Sequence, residues 1–64
     1  MTPKNRKPLS KREREIFELL KKGKTNKEIA DELYISHNTV RTHRENILWK
    51  LDAHNLMQAI NNDK

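Results

Sequence analysis

The chain has 64 residues, no cysteine and one glycine. That allows one small domain and excludes a disulfide staple, a thiolate metal site and a glycine-rich phosphate loop. A net charge of +5, a pI near 9.8 and a charged fraction of 36% point to a polyanionic partner, most often nucleic acid.

No apolar run approaches the ~18 residues of a membrane span, and no signal-peptide pattern is present. Absence of cysteine fits a reducing compartment without fixing one, and the expected localisation is cytoplasmic. So short a chain hardly encloses the ~300 Å³ of a usual substrate pocket, and no enzyme is expected. The hydrophobic fraction is only 33%, which raises disorder as an alternative. Apolar residues recurring at helical spacing argue against it.

The charge is unevenly placed. Residues 1–24 carry nine Lys or Arg and three Glu, residues 25–51 balance four basic against four acidic groups, and residues 52–64 sum to −1. Residues 1–8, with two prolines and no periodicity, read as a basic arm or linker remnant. Lys4, Arg6 and Lys7 there are either solvated or available to phosphates. Residues 9–64 read as one all-α domain of four helices.

Ser10-Lys11-Arg12-Glu13 is a capping box that opens helix 1. The helix is predicted to run to about Lys22, with Ile16, Phe17 and Leu20 as its apolar stripe and Leu9 just outside. Lys21 and Lys22 suit the negative end of the helix dipole, and Gly23 suits a left-handed cap. Thr25-Asn26-Lys27-Glu28 is a second capping box. Ile29, Ala30 and Leu33 form the inner face of helix 2, while Asp31 and Glu32 point outward. Free backbone N–H groups beside Asn26 and Lys27 make a phosphate site by geometry, the plainer alternative being a solvated helix start. Tyr34 and Ile35 join helix 2 to a cap at Ser36. Two caps so close force a tight turn and a steep crossing, with Ile35 plugging the corner, which is a helix-turn-helix.

Helix 3 is predicted over Ser36–Leu51. Val40, Ile47 and Leu51 share one stripe at about 100° per residue. The opposite face carries Asn38, Arg41, Thr42, Glu45 and Trp49. Asp52-Ala53-His54 interrupts the pattern, and Asn55-Leu56-Met57-Gln58 is a third capping box. Helix 4 covers roughly Leu56 to Asn62, with Leu56, Ala59 and Ile60 inward and Met57 and Asn61 outward. Residues 61–64 read as frayed.

His37, His43 and His54 do not pair at helical spacing, and no cysteine completes a ligand set, so no metal or cofactor is expected. His43 flanks the apolar stripe as a half-buried packing residue, with a phosphate contact as its second option. The outer face of helix 3 holds hydrogen-bonding groups suited to base edges in a major groove. Arg41 matches guanine O6 and N7, and Asn38 matches adenine N6 and N7. Thr42 offers a methyl to thymine or a hydroxyl to a base edge. Glu45 accepts only from cytosine N4 and repels phosphate, so it excludes wrong sequences. Ser36, Thr39 and Arg44 are better placed for phosphates, which fix register. The stem of Arg44 alternatively covers the core edge. Trp49 lies against the DNA backbone, meets a second protein, or is covered by helix 4 or the loop before it.

Leu9 to Ile16, Gly23, Thr25 to Ala30, Ile35-Ser36, Thr39 to His43, Asn46 to Leu48 and Lys50-Leu51 together resemble the LuxR-type DNA-binding domain, the output domain of NarL/FixJ response regulators. The resemblance covers about Leu9 to Ile60. It implies a four-helix helix-turn-helix that binds double-stranded promoter DNA in bacteria as a dimer and recruits or blocks RNA polymerase. It places base reading at Asn38, Arg41, Thr42 and Glu45. It places the two-fold interface on helix 4, at Met57, Ile60 and Asn61. Asp52 stands where the family often has glycine, and Glu45 where it is often basic. Family members usually carry a receiver or ligand-binding domain upstream, so this chain is either an excised output domain or a small stand-alone regulator. Two other functions remain open: a promoter reader like region 4 of a sigma factor, and a protein-interaction module anchored by Trp49 and Met57.

Overall fold

A computed structural model describes residues 8–63. It holds four helices in the order α1 (Lys11–Lys21), α2 (Asn26–Leu33), α3 (His37–Lys50) and α4 (Leu56–Asn62), with no strand among the described residues. The basic arm predicted over residues 1–8 lies outside the described residues but for Pro8.

Each helix starts where its cap predicts. The Ser10 hydroxyl accepts from the Glu13 N–H at 3.2 Å while the Glu13 carboxylate accepts from the Ser10 N–H at 2.9 Å. Thr25 and Glu28 make the same reciprocal pair at 3.1 and 2.8 Å. The third box closes differently. Asn55 accepts from the Gln58 N–H at 2.8 Å, but the Gln58 carbonyl accepts from the His54 N–H at 2.7 Å. The chain bends at residues 54–55, and the side chain meets the donor one position early.

Three helices end on a left-handed residue. Gly23 (φ +90) closes α1, with the Lys24 N–H bonding the Leu19 carbonyl and the Gly23 N–H bonding that of Leu20. This is the Schellman arrangement. Asp52 (φ 55) closes α3 the same way through Ala53 to Leu48 and Asp52 to Trp49. Tyr34 (φ 58) ends α2, with Ile35 bonding the Ala30 carbonyl. The abrupt reversal at Tyr34 is what lets Ser36 start α3 two residues later.

The core consists of Ile16, Phe17, Leu19, Leu20, Ile29, Ala30, Val40, Ile47, Leu51 and Ala59. Leu19 is the one member that the apolar stripe of helix 1 omits. α1 packs on both α2 and α3, so its buried face is wider than one stripe. Ile35 packs on this core at the corner between α2 and α3.

The end of α4 is not frayed as expected. The Asn62 amide donates to the Leu51 and Asp52 carbonyls at 2.8 and 3.1 Å. Carbonyls at a helix end lack an intrahelical donor, and this side chain supplies one. Asp63 accepts from Arg14 at 3.1 Å. Lys64 lies outside the described residues.

Candidate nucleic-acid interface

The orientation of α3 is set by what it buries. Val40 and Ile47 are 0% exposed. With that stripe anchored, helical periodicity turns Asn38, Arg41, Thr42 and Glu45 outward, and all four are exposed. Arg41 Nε lies 3.7 Å from Glu45 Oε2, both side chains being well exposed. An exposed pair one turn apart is worth only about 0.3–0.5 kcal/mol. The guanidinium therefore leaves Glu45 at little cost when a better acceptor is offered.

The candidate phosphate contacts other than Arg44 open α2 and α3. Asn26, half-buried, is the first residue of α2. Lys27 follows it, exposed, with its ammonium 3.3 Å from Asp31. Ser36 caps α3 by accepting from the Thr39 N–H at 3.0 Å, and the two hydroxyls lie 2.9 Å apart. One hydroxyl donates to the other, so one of the two hydrogens remains for an outside acceptor. Arg44 is half-buried and has no carboxylate partner among the described residues.

Two ion pairs that no local pattern indicates tie the helices together, one of them at the end of α3. Lys50, at the end of α3, donates to Glu13 Oε1 at 2.7 Å, and Glu13 is only 5% exposed. The same carboxylate oxygen accepts from the Ser10 N–H. Burial alone would raise the Glu13 carboxyl, but the Lys50 hydrogen bond and charge, with the Ser10 backbone and hydroxyl, outweigh it and hold the group below its ordinary value. Arg14 joins α1 to Asp63 beyond α4 and also reaches Glu18 at 3.7 Å. Much of the N-terminal positive charge is spent in such pairs: Arg12–Glu15, Lys21–Glu18 and Lys24–Glu32.

On α4, Met57 is 69% exposed and Asn61 is exposed. Ile60 instead packs partly on the core, so it offers an interface only an edge. Trp49 is largely exposed and borders a hollow of about 220 Å³ with Leu48, Asp52, Ala53 and His54. An open cleft of about 600 Å³ runs between α1 and the end of α2, past Leu19, Leu33 and Tyr34, and it is a surface groove rather than an enclosed pocket. Its carboxylates, Glu15, Glu18 and Glu32, are each in an ion pair. Among the described residues no group of three or more His, Asp or Glu is placed to hold a metal, and no helix is long and apolar enough to cross a membrane.

Comparison with known proteins agrees with this arrangement. The profile described as bacterial regulatory proteins, luxR family, matches residues 7–62. The spore germination protein GerE of Bacillus subtilis is 56% identical over 52 residues, covering 81% of this chain and 70% of that protein. The transcriptional regulatory protein LiaR of the same species is 57% identical over 51 residues, covering 80% of this chain but 24% of its own length. The response regulator ChrA of a heme-sensing two-component system superposes with a TM-score of 0.81 at 39% identity, over 95% of this chain and 29% of that one. The four-helix arrangement and these matches together show that the chain belongs to the luxR family of bacterial regulatory proteins.

Proposed function

We propose that the chain binds double-stranded promoter DNA with sequence preference and so regulates transcription, acting by binding rather than catalysis. In this reading α3 lies in the major groove, with Asn38, Arg41, Thr42 and Glu45 on base edges. Asn26, Lys27, Ser36, Thr39 and Arg44 meet phosphates on either side. The observation that carries the reading is that all four base-reading candidates are exposed on the side of α3 opposite the fully buried Val40 and Ile47. The relatives named as transcriptional regulatory protein and response regulator support the same class. In this reading the chain acts in the bacterial cytoplasm as the output part of a response regulator.

Two copies would pair through α4 at Met57, Ile60 and Asn61, and occupy half-sites about one helical turn apart. RNA polymerase is the further partner of a regulator placed at a promoter.

Titration against duplex DNA at several salt concentrations tests the reading. If each copy neutralises about four phosphates, log K against log[salt] slopes at about −3.6 per copy. A protein-interaction module built on Trp49 and Met57 would show no salt-dependent DNA binding. That result would overturn the proposal.

A further inference from the structure

We propose that His43 is a phosphate contact of α3, held in one tautomer by the burial of its other ring nitrogen. This rests on the groove placement of α3 given above. His43 Nδ1 is buried and has no hydrogen-bond partner. The ring as a whole is only half-buried, and Nε2 reaches the surface without a partner among the described residues. A neutral imidazole carries one N–H and one bare nitrogen. A buried N–H with no acceptor is among the rarest unsatisfied groups in proteins, so the hydrogen belongs on Nε2. The interior of the fold thus chooses the tautomer, and the outward nitrogen is a donor.

The position of that donor gives it a use. Ser36, Thr39 and His43 follow one another along one edge of α3, at spacings that stack side chains on a single helix face. The edge flanks Asn38 and Thr42 on the reading face. Ser36 and Thr39 are hydrogen-bonded to each other. Further along the same edge, the Lys50 ammonium turns inward to Glu13. The edge therefore offers a hydroxyl and then an imidazole N–H one turn on. With the neighbouring face against bases, these donors face the sugar-phosphate wall. A phosphate oxygen is an acceptor that a neutral imidazole N–H satisfies, at any base sequence.

Two measurements test this. Long-range ¹⁵N–¹H correlation on the free 64-residue chain, at about pH 8 where an ordinary imidazole is neutral, reads the tautomer directly. Hydrogen on Nε2 is expected, and hydrogen on Nδ1 overturns the proposal. The Nε2 signal is then followed on saturation with duplex, where a shift is expected and no change counts against the contact. For binding, His43→Phe keeps an aromatic ring but no N–H, while His43→Gln keeps a donor near the Nε2 position. His43→Phe is expected to weaken binding about 10-fold on every sequence, the order of one hydrogen bond to a charged acceptor. The salt slope stays unchanged, because a neutral donor releases no counterion. His43→Gln restores the affinity. Equal binding by wild type and the Phe variant, or a Gln variant as weak as Phe, overturns the contact. A wild type with no salt-dependent duplex binding overturns the DNA reading and the contact together, while the tautomer stands or falls on its own spectrum.

Discussion

The Lys50 ammonium lies 2.7 Å from the Glu13 carboxylate, 37 positions away in sequence. Glu13 does two jobs with that carboxylate. It closes the capping box of α1 by accepting from Ser10, and it holds the far end of α3 against the start of α1. α3, the helix proposed to read bases, is thereby fixed at its N-terminus by Ser36 and at its C-terminus by an ion pair to another helix.

Lys50→Met is expected to cost about 1–3 kcal/mol, because it leaves a largely buried carboxylate without its strongest partner. Lys50 itself is partly solvated, which argues for the lower part of that range. Urea unfolding near neutral pH measures it. Replacing both partners, Glu13→Gln with Lys50→Met, is expected to cost less than the sum of the single changes. Strict additivity would show that the pair does not couple.

The same pair sets an acid dependence. Glu13 has a lower pKa folded than its ordinary 4.5, so the folded state releases its proton more readily than the unfolded chain. The stabilisation is full above the ordinary value and is lost as pH falls through the folded one. The stability gap between wild type and Lys50→Met should therefore narrow as pH drops below about 4.5. Glu28, lowered through the Thr25 N–H, adds to the acid dependence of both proteins and cancels in this gap. A gap that stays constant down to low pH contradicts this assignment.

Tyr34 holds φ 58 with 94% of its surface exposed. Its side chain gains little from packing, yet its backbone sits where an L-residue is penalised by roughly 1–2 kcal/mol. Tyr34→Gly removes that penalty and adds about 0.5–1 kcal/mol of unfolded-state freedom. The net expectation is a gain of about 0.5–1 kcal/mol, read as a higher urea midpoint with the same slope. A lower midpoint would mean that the tyrosine ring holds the corner after all.

Glu45 sits on the exposed face of α3 beside Arg41, the face proposed to read bases. A carboxylate there repels phosphate and accepts only from cytosine. Glu45→Ala is expected to raise affinity for arbitrary duplex severalfold and to flatten the difference between good and poor sites. Equal losses on every duplex would show instead that Glu45 supports Arg41 rather than excluding sequences.

Much of this fold is legible in the sequence because its signals are local. Ser10 with Glu13, Thr25 with Glu28, and the caps Ser36 and Asn55 each act within three or four residues, and the core stripe of α3 follows from periodicity. The exposure of Asn38, Arg41, Thr42 and Glu45 follows from the same periodicity. What escaped is long-range or conformational. Glu13–Lys50, Arg14–Asp63 and the Asn62 cap on α3 join residues 37, 49 and 11 positions apart, and no local rule pairs them. Tyr34 in a left-handed turn has no glycine to announce it; only the distance from Leu33 to the Ser36 cap requires it. The orphaned ring nitrogen of His43 depends on what packs around it, which composition does not encode.

The proposed function rests on α3 reading base edges. The most direct measurement is selection of bound duplexes from a random pool by wild type and by Arg41→Ala. Wild type should enrich a short half-site, and Arg41→Ala should lose preference at one position of it, at a cost of about 1–3 kcal/mol there. No enrichment by wild type, or an Arg41→Ala variant weakened equally on all sequences with its preferences intact, would contradict it.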